Sequence, residues 1–232
     1  MEYLSTIDGI SGEVFLDELI AQRGPLIDKR EMPEARILAL TGKVPNLMID
    51  FWRAYGLGHL QDGLIRLCDP AMFDDLLPDL FKGDADFTGD CHVLAFSPFG
   101  DLFFWSERHW LGVVSLPLSY VDAPFLHDPT LKTQASKVVL DILLKGDPRM
   151  FDTADAEGNP MFAAARKVHG PLDWHEVYGA MPLPVDAAEL RVDRLVVAPA
   201  VAYLESKFST TDFVLHDMAG QRFNIRFFGD RG

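Results

Sequence analysis

Apolar residues recur along this chain at two spacings, and each predicts a different kind of element. In SGEVFLDELIAQRGP, residues 11–25, Val14, Phe15, Leu19 and Ile20 fall on one helical face. Ser11 stands where an N-cap belongs and Gly24-Pro25 ends the run, which predicts a short amphipathic helix. A charged loop through DKREMPEARI follows. VPNLMIDFWRAYG then sets Leu47, Ile49, Phe51, Trp52 and Tyr55 around most of a helix surface, so this helix is expected to be largely buried, with Gly56 as a left-handed C-cap.

Beyond it the rhythm changes. GLIRLCD reads as a short strand, and DPAMFDDLLPDLF as a helix opened by Asp69 and Pro70. Three apolar runs follow, His92–Phe96, Leu102–Trp105 and Leu111–Leu116. The breaks Ser97-Pro98-Phe99-Gly100 and Ser106-Glu107-Arg108-His109 have the composition of hairpin loops, which predicts an antiparallel meander. The pattern then dissolves between Pro117 and Pro129, the place expected for a connection between domains. TLKTQASKVVLDILLKGD predicts a helix stopped at Gly146, and GNPMFAAARKVHGPL a second one with Asn159 as N-cap, Pro160 at the first position and Gly170 after the last turn. WHEVYGAMPL reads as a turn, RLVVAPAVAYLESKF as a short helix, and DFVLHD and RFNIRFF as strands around Met218-Ala219-Gly220. The expected fold class is α+β: a helix-and-meander domain over residues 1–125, then a smaller, mainly helical α+β domain over 130–232.

Composition and charge narrow the function classes. A chain of 232 residues that is 48% hydrophobic, with 17 Phe, can fill a large core. No run approaches the ~20 apolar residues of a membrane helix. Met-Glu-Tyr-Leu-Ser-Thr-Ile-Asp lacks the basic start and apolar centre of a signal peptide, so a cytoplasmic location without membrane contact is expected. Cys68 and Cys91 have no metal-type spacing and sit among apolar neighbours, which predicts two buried free thiols. The formal net charge of −14 repels phosphate backbones, so no direct nucleic-acid binding is expected. An acidic surface can serve solubility alone; it also suits a basic partner, such as a protein whose own groove was built for DNA.

Motifs for chemistry fail one by one. GLGHLQ starts like a dinucleotide fingerprint, but Gln61 stands at the third glycine position and a helix, not a strand, precedes it. Gly56, Gly58 and Gly63 read instead as turn formers. His92, His109, His127, His169, His175 and His216 are scattered, and His175-Glu176 lacks a second histidine at Gly179. There is no Gly-x-Ser-x-Gly elbow and no phosphate-binding loop. Acid pairs such as Asp74/Asp75 and Glu13/Asp17 are ordinary for a chain with 35 acidic residues. KGDADFTGD carries Asp84, Asp86 and Asp90 without the ligand pattern of a calcium-binding EF-hand loop, and reads as a solvated connector or a protein contact. No catalytic, cofactor-binding or metal-binding residue is assigned, and no cofactor is expected.

DFWRAYGLGHLQDGLIRLCDPAMFDDLL resembles the GAD-like domain, whose aromatic helix end leads into a Gly-rich turn and a strand, and FSPFGDLFFWS looks like that family's Phe-Gly-Asp hairpin. HGPLDWHEVYGAMPLPVDAAELRVDRLVVAPAVAYLE resembles the C-terminal domain that accompanies it. The positions that carry the resemblance, Phe51, Trp52, Tyr55, Gly56, Gly100, Asp101, Tyr178 and Gly179, are read as holding the fold. The two-domain layout is similar to that of the immunity proteins of type VI secretion DNase toxins. It implies a bacterial cytoplasmic protein that binds a cognate DNase toxin and performs no reaction of its own. On that implication the partner-binding residues are Asp84, Asp86, Asp90, Glu107, Arg108, His109 and Trp110, with Asp152–Glu157 as a further acidic loop. The acids would steer toward a basic groove and Trp110 would anchor. Two alternatives stand: a metal-dependent hydrolase around His169, Asp173 and His175, and a general protein-binding scaffold.

Overall fold

The computed structural model describes residues 3–87, 89–180 and 190–228. A small hairpin of β1 (Thr6–Ile7) and β2 (Ile10–Ser11) leads into α1 (Gly12–Arg23). Ser11 Oγ accepts from the Glu13 amide at 3.3 Å, the expected cap. The chain continues through β3 (Ile27–Arg30), α2 (Glu34–Leu40), α3 (Asn46–Ala54), β4 (Leu57–Leu60), β5 (Ile65–Leu67) and α4 (Leu76–Leu80). The meander is β6 (Cys91–Phe96), β7 (Leu102–Ser106) and β8 (Trp110–Ser115), as its apolar runs predict. After it come β9 (Tyr120–Asp122), α5 (Pro124–His127), α6 (Ala135–Val138, continuing as a wider π-type helix over Val139–Leu144) and α7 (Phe162–His169). The last elements are β10 (Glu176–Ala180), β11 (Leu195–Pro199), α8 (Ala200–Thr210), β12 (Phe213–Asp217) and β13 (Arg222–Phe228).

Nine strands form one mixed sheet in the order β13-β12-β9-β8-β7-β6-β5-β4-β3, and β10 and β11 pair separately. Every pairing in the large sheet is antiparallel except β12 with β9. The fold class is α+β, as expected, but the sheet crosses the boundary drawn at residues 125–130. The segment 117–129, expected to be a connection, carries β9, against which the C-terminal β12 pairs. Short strands of this kind leave too few alternating positions to stand out in sequence.

Several local expectations are corrected. WHEVYGAMPL holds β10 and Leu195–Pro199 forms β11, and the two pair antiparallel from Glu176 with Pro199 to Ala180 with Leu195. Residues 70–81 split into a 3-10 turn over Pro70–Phe73 and α4, with Asp69 capping the Ala71 amide as expected. Asn159 does not cap a helix: it donates to the Asp155 carboxylate in a turn, and α7 begins three residues later. Val14 is exposed on α1 while Leu16 and Leu19 are buried. Gly58 lies inside β4, where a Cβ would come within 2.6 Å of the Leu26 side chain, so it serves close approach and not a turn. Cys68 is buried, Cys91 half-buried, and both are free thiols.

The sheet is packed on both faces, to different extents. Along β7, Phe103 and Trp105 enter a core with Leu16 and Leu19 of α1, Leu47, Phe51 and Trp52 of α3, and Val138 of α6. Leu102 and Phe104 enter the opposite core with Leu76 and Leu80 of α4 and Leu204 of α8. The second core extends to Phe213, Leu215 and Phe228 on the terminal hairpin. The first contains no residue of β9, β12 or β13 among the described residues.

Candidate partner-binding site

The residues that carry the family resemblance hold the frame. Phe51 and Trp52 are buried, and Tyr55 packs on Phe51 with ring centres 5.5 Å apart while its hydroxyl donates to Asp17 at 2.6 Å. Gly56 is left-handed (φ 78°), and a Cβ there would collide with the Arg30 carbonyl. Gly100 (φ 91°) turns the β6–β7 hairpin so that Asp101 points inward. Its carboxylate accepts from Ser97 Oγ at 2.8 Å and from the Leu116 amide at 3.0 Å, tying the hairpin to the end of β8. Burial pushes the Asp101 carboxyl up to about 6 against those bonds. The Tyr178 amide donates to the Pro98 carbonyl at 2.7 Å, so the two segments that resemble the two halves of the family layout touch. A Cβ on Gly179 would lie 2.7 Å from the Tyr203 ring, whose hydroxyl accepts the Ala180 amide at 2.9 Å.

The acidic connector and the β7–β8 tip are brought together, with their own counter-ions. Arg108 Nε sits 3.0 Å from Asp90, and its Nη2 donates to the Asp86 carbonyl at 2.5 Å. Arg226 of β13 reaches Asp84 at 2.8 Å and Asp86 at 2.7 Å. His92 Nε2 lies 3.0 Å from Glu107, and His109 Nε2 lies 3.8 Å from Asp86. Burial raises Asp90, but hydrogen bonds from Arg108 and Ser106 outweigh it and hold the carboxyl below its usual range. Three carboxylates thus face two guanidinium groups and Glu107 faces an imidazole, which leaves a reduced acid excess. Trp110 is half-buried, stacked on Trp105 at 5.4 Å and against Phe125 at 5.7 Å. It packs into the fold instead of standing free as an anchor.

Among the described residues, a strip of exposed apolar side chains lies at the other end of the sheet. The face of β9, β12 and β13 turned away from α8 carries Tyr120, Val214, His216, Phe223, Ile225 and Phe227. Phe223, Ile225 and Phe227 are 57%, 36% and 69% exposed, which places large side chains in water on one strip. Tyr120, His216 and Phe223 follow one another with ring-centre spacings of 5.2 and 5.6 Å. Beside this strip opens a cleft of about 560 Å³ between β8–β9 and the segment 149–156. Phe151, stacked on Phe103 at 4.2 Å, fastens that segment to the sheet. Asp101, Asp152, Asp155, Arg149, Met150 and Leu118 line the cleft, so the acidic loop 152–157 expected from sequence borders it. Burial raises both Asp152 and Asp122 above the ordinary carboxyl range. Sequence reasoning read RFNIRFF as a strand and did not single out Phe223, Ile225 and Phe227; the available signal was its alternation of apolar and polar positions.

His169, Asp173 and His175 do not converge. His169 Nε2 contacts the Val192 carbonyl at 2.8 Å, and the Asp173 carbonyl accepts from Arg66. No group of three or more His, Cys, Asp or Glu side chains is placed to hold a metal ion among the described residues. No helix among them is long and apolar enough to cross a membrane.

With this geometry in view, residues 14–115 match the GAD-like domain, which spans α1 through β8 and stops short of the open end of the sheet. The chain is similar in structure to the crystal structure of Atu4351 from Agrobacterium tumefaciens, with a TM-score of 0.83 and 24% identity over 91% of this chain and 96% of that one. That likeness covers more of the chain than the GAD-like match and concerns the fold alone. No curated protein matches the chain.

Proposed function

We propose that this protein is an immunity protein: it binds a cognate DNase toxin of a type VI secretion system in the bacterial cytoplasm and blocks its active site or DNA-binding cleft without catalysis of its own. The observation that carries the reading is the uncovered strip of Phe223, Ile225 and Phe227 beside an acid-lined cleft. A partner with a basic, partly apolar surface suits it, because apolar side chains supply anchoring area and surrounding acids supply complementary charge. The net charge of −14 repels DNA and attracts a DNA-binding protein. The GAD-like match over residues 14–115 supports the same reading. The compensated cluster at Asp84, Asp86, Asp90 and Glu107 has a secondary part, in long-range steering, and Arg108, His109 and Trp110 keep that hairpin tip in shape.

The test is co-expression with the nuclease encoded beside the gene, followed by co-purification and a DNA-degradation assay. A stable complex that no longer degrades DNA supports immunity. A nuclease that remains fully active with the protein in excess contradicts it.

A further inference from the structure

A second site lies far from the open strip, where the β4–β5 hairpin meets the C-terminal half. His59 and Arg66 are register partners on adjacent strands and point to the same side, each only 1% exposed. Trp174 stacks on the His59 ring at 4.7 Å. Between the hairpin and Phe162, Arg166, Leu172 and Tyr178 lies a cavity of about 90 Å³. A liquid water occupies about 30 Å³, so the space suits roughly three waters or one molecule of two or three carbons.

The polar groups around this cavity are under-satisfied. Among the described residues, buried atoms without a partner include His59 Nε2, Arg66 Nε and Gln61 Oε1, all on this one hairpin. Arg66 forms no ion pair among them; its Nη2 donates only to the Asp173 carbonyl. A buried guanidinium without an anion is costly, as is a buried nitrogen without a partner. Gln61 and Asp62 hold left-handed conformations (φ 51° and 59°) before Gly63 (φ 98°), a backbone arrangement that side-chain-bearing residues resist. His59 Nδ1 faces the Asp28 carboxylate at 3.5 Å, which favours a proton on Nδ1 and leaves Nε2 as an acceptor. Asp28 and Asp62 are largely exposed on the rim, and Arg166 lies 3.6 Å from Asp62. Depth therefore offers a cation and an acceptor, while the rim offers carboxylates that discourage a dianion.

We propose that this cavity binds a small α-hydroxy or α-amino acid, its carboxylate on Arg66 and its hydroxyl or ammonium on His59 Nε2. The site is independent of the toxin-binding reading. About five or six non-hydrogen atoms support binding in the millimolar range.

The experiment follows the Arg66 Nε–H and His59 ring signals of the whole chain by NMR while glycolate, L-lactate, glycine and L-alanine are added, with acetate and inorganic phosphate as comparison probes. The hydroxy and amino arms distinguish the two sources of the donor. Saturable shifts of both residues by at least one arm are expected, with acetate about tenfold weaker because it has no donor for His59. Arg66→Met should abolish the shifts. Since that change sits in the core, Arg166→Glu at the rim serves as a second variant, expected to keep the melting temperature and weaken binding about tenfold. No shift at about 50 mM of any acid would mean water alone fills the cavity and overturns the proposal. Phosphate binding as well as the acids would overturn it too.

Discussion

At the β4–β8 end of the sheet, Phe103 and Trp105 lie under α1, α3 and α6 and are shut away from water. At the β9-β12-β13 end the corresponding face carries Phe223 and Phe227, and no helix among the described residues covers them. The side chains are alike; their surroundings are not. Burying such a residue contributes roughly 1.5–3 kcal/mol to folding, so the covered end gains what the open end leaves unused. Aromatic content therefore does not separate stability from association. Coverage does: the GAD-like segment holds its large aromatics under helices, whereas the terminal hairpin leaves its own exposed on the face proposed to meet a partner.

The largest expected effect breaks the covered end. Trp52→Ala should cost about 3–5 kcal/mol in urea unfolding, because the indole is packed between α3 and the sheet. Phe227→Ala should stay within about 0.5 kcal/mol of the parent in the same assay. Equal losses at the two sites would erase the distinction.

Asp101 sharpens the comparison through pH. Its folded carboxyl titrates near 6 because of burial, against an ordinary 3.8. Between those values the folded state holds a proton that the unfolded state has released, so this group lowers stability as pH rises through the window. The contribution is at most about 3 kcal/mol. Asp101→Asn should flatten that limb of the stability curve between about pH 4 and pH 6. An unchanged limb would remove Asp101 as its source.

Next in size, Phe223→Asp with Phe227→Asp should weaken the toxin complex by about 2 kcal/mol or more with unfolding almost unmoved. Calorimetric titration against the nuclease checks this. Smallest is Glu107→Lys, since Glu107 faces His92 at an exposed edge. It should change stability by no more than about 0.5 kcal/mol and lower the association rate mainly at low salt.

What could be read from sequence follows the distance over which each feature is decided. α1, α3 and the meander depend on caps, turns and local periodicity, and those were legible. The pairing of β9 with β12 joins Tyr120 to Val214, and nothing in a three-residue strand announces a partner so far along the chain. Arg226 neutralises Asp84 across 142 positions, so an acidic loop that looks free in sequence is partly neutralised in the fold. RFNIRFF was legible as a strand but not for which face it turns to water: Arg226 pairs with Asp84 and Asp86, and Phe223, Ile225 and Phe227 are exposed. Gly56, Gly100 and Asp101 were legible as signature positions, because a left-handed turn and a buried carboxylate constrain which residues can stand there.

The open end of the sheet is the face proposed to meet the toxin. Amide hydrogen exchange of the protein, alone and with the nuclease encoded beside it, tests that most directly. Slowed exchange is expected in residues 118–122, 149–156 and 213–227 of the complex, with the β4–β5 hairpin unchanged. Protection confined to the hairpin tip at 106–110, or no protection at all, would contradict it.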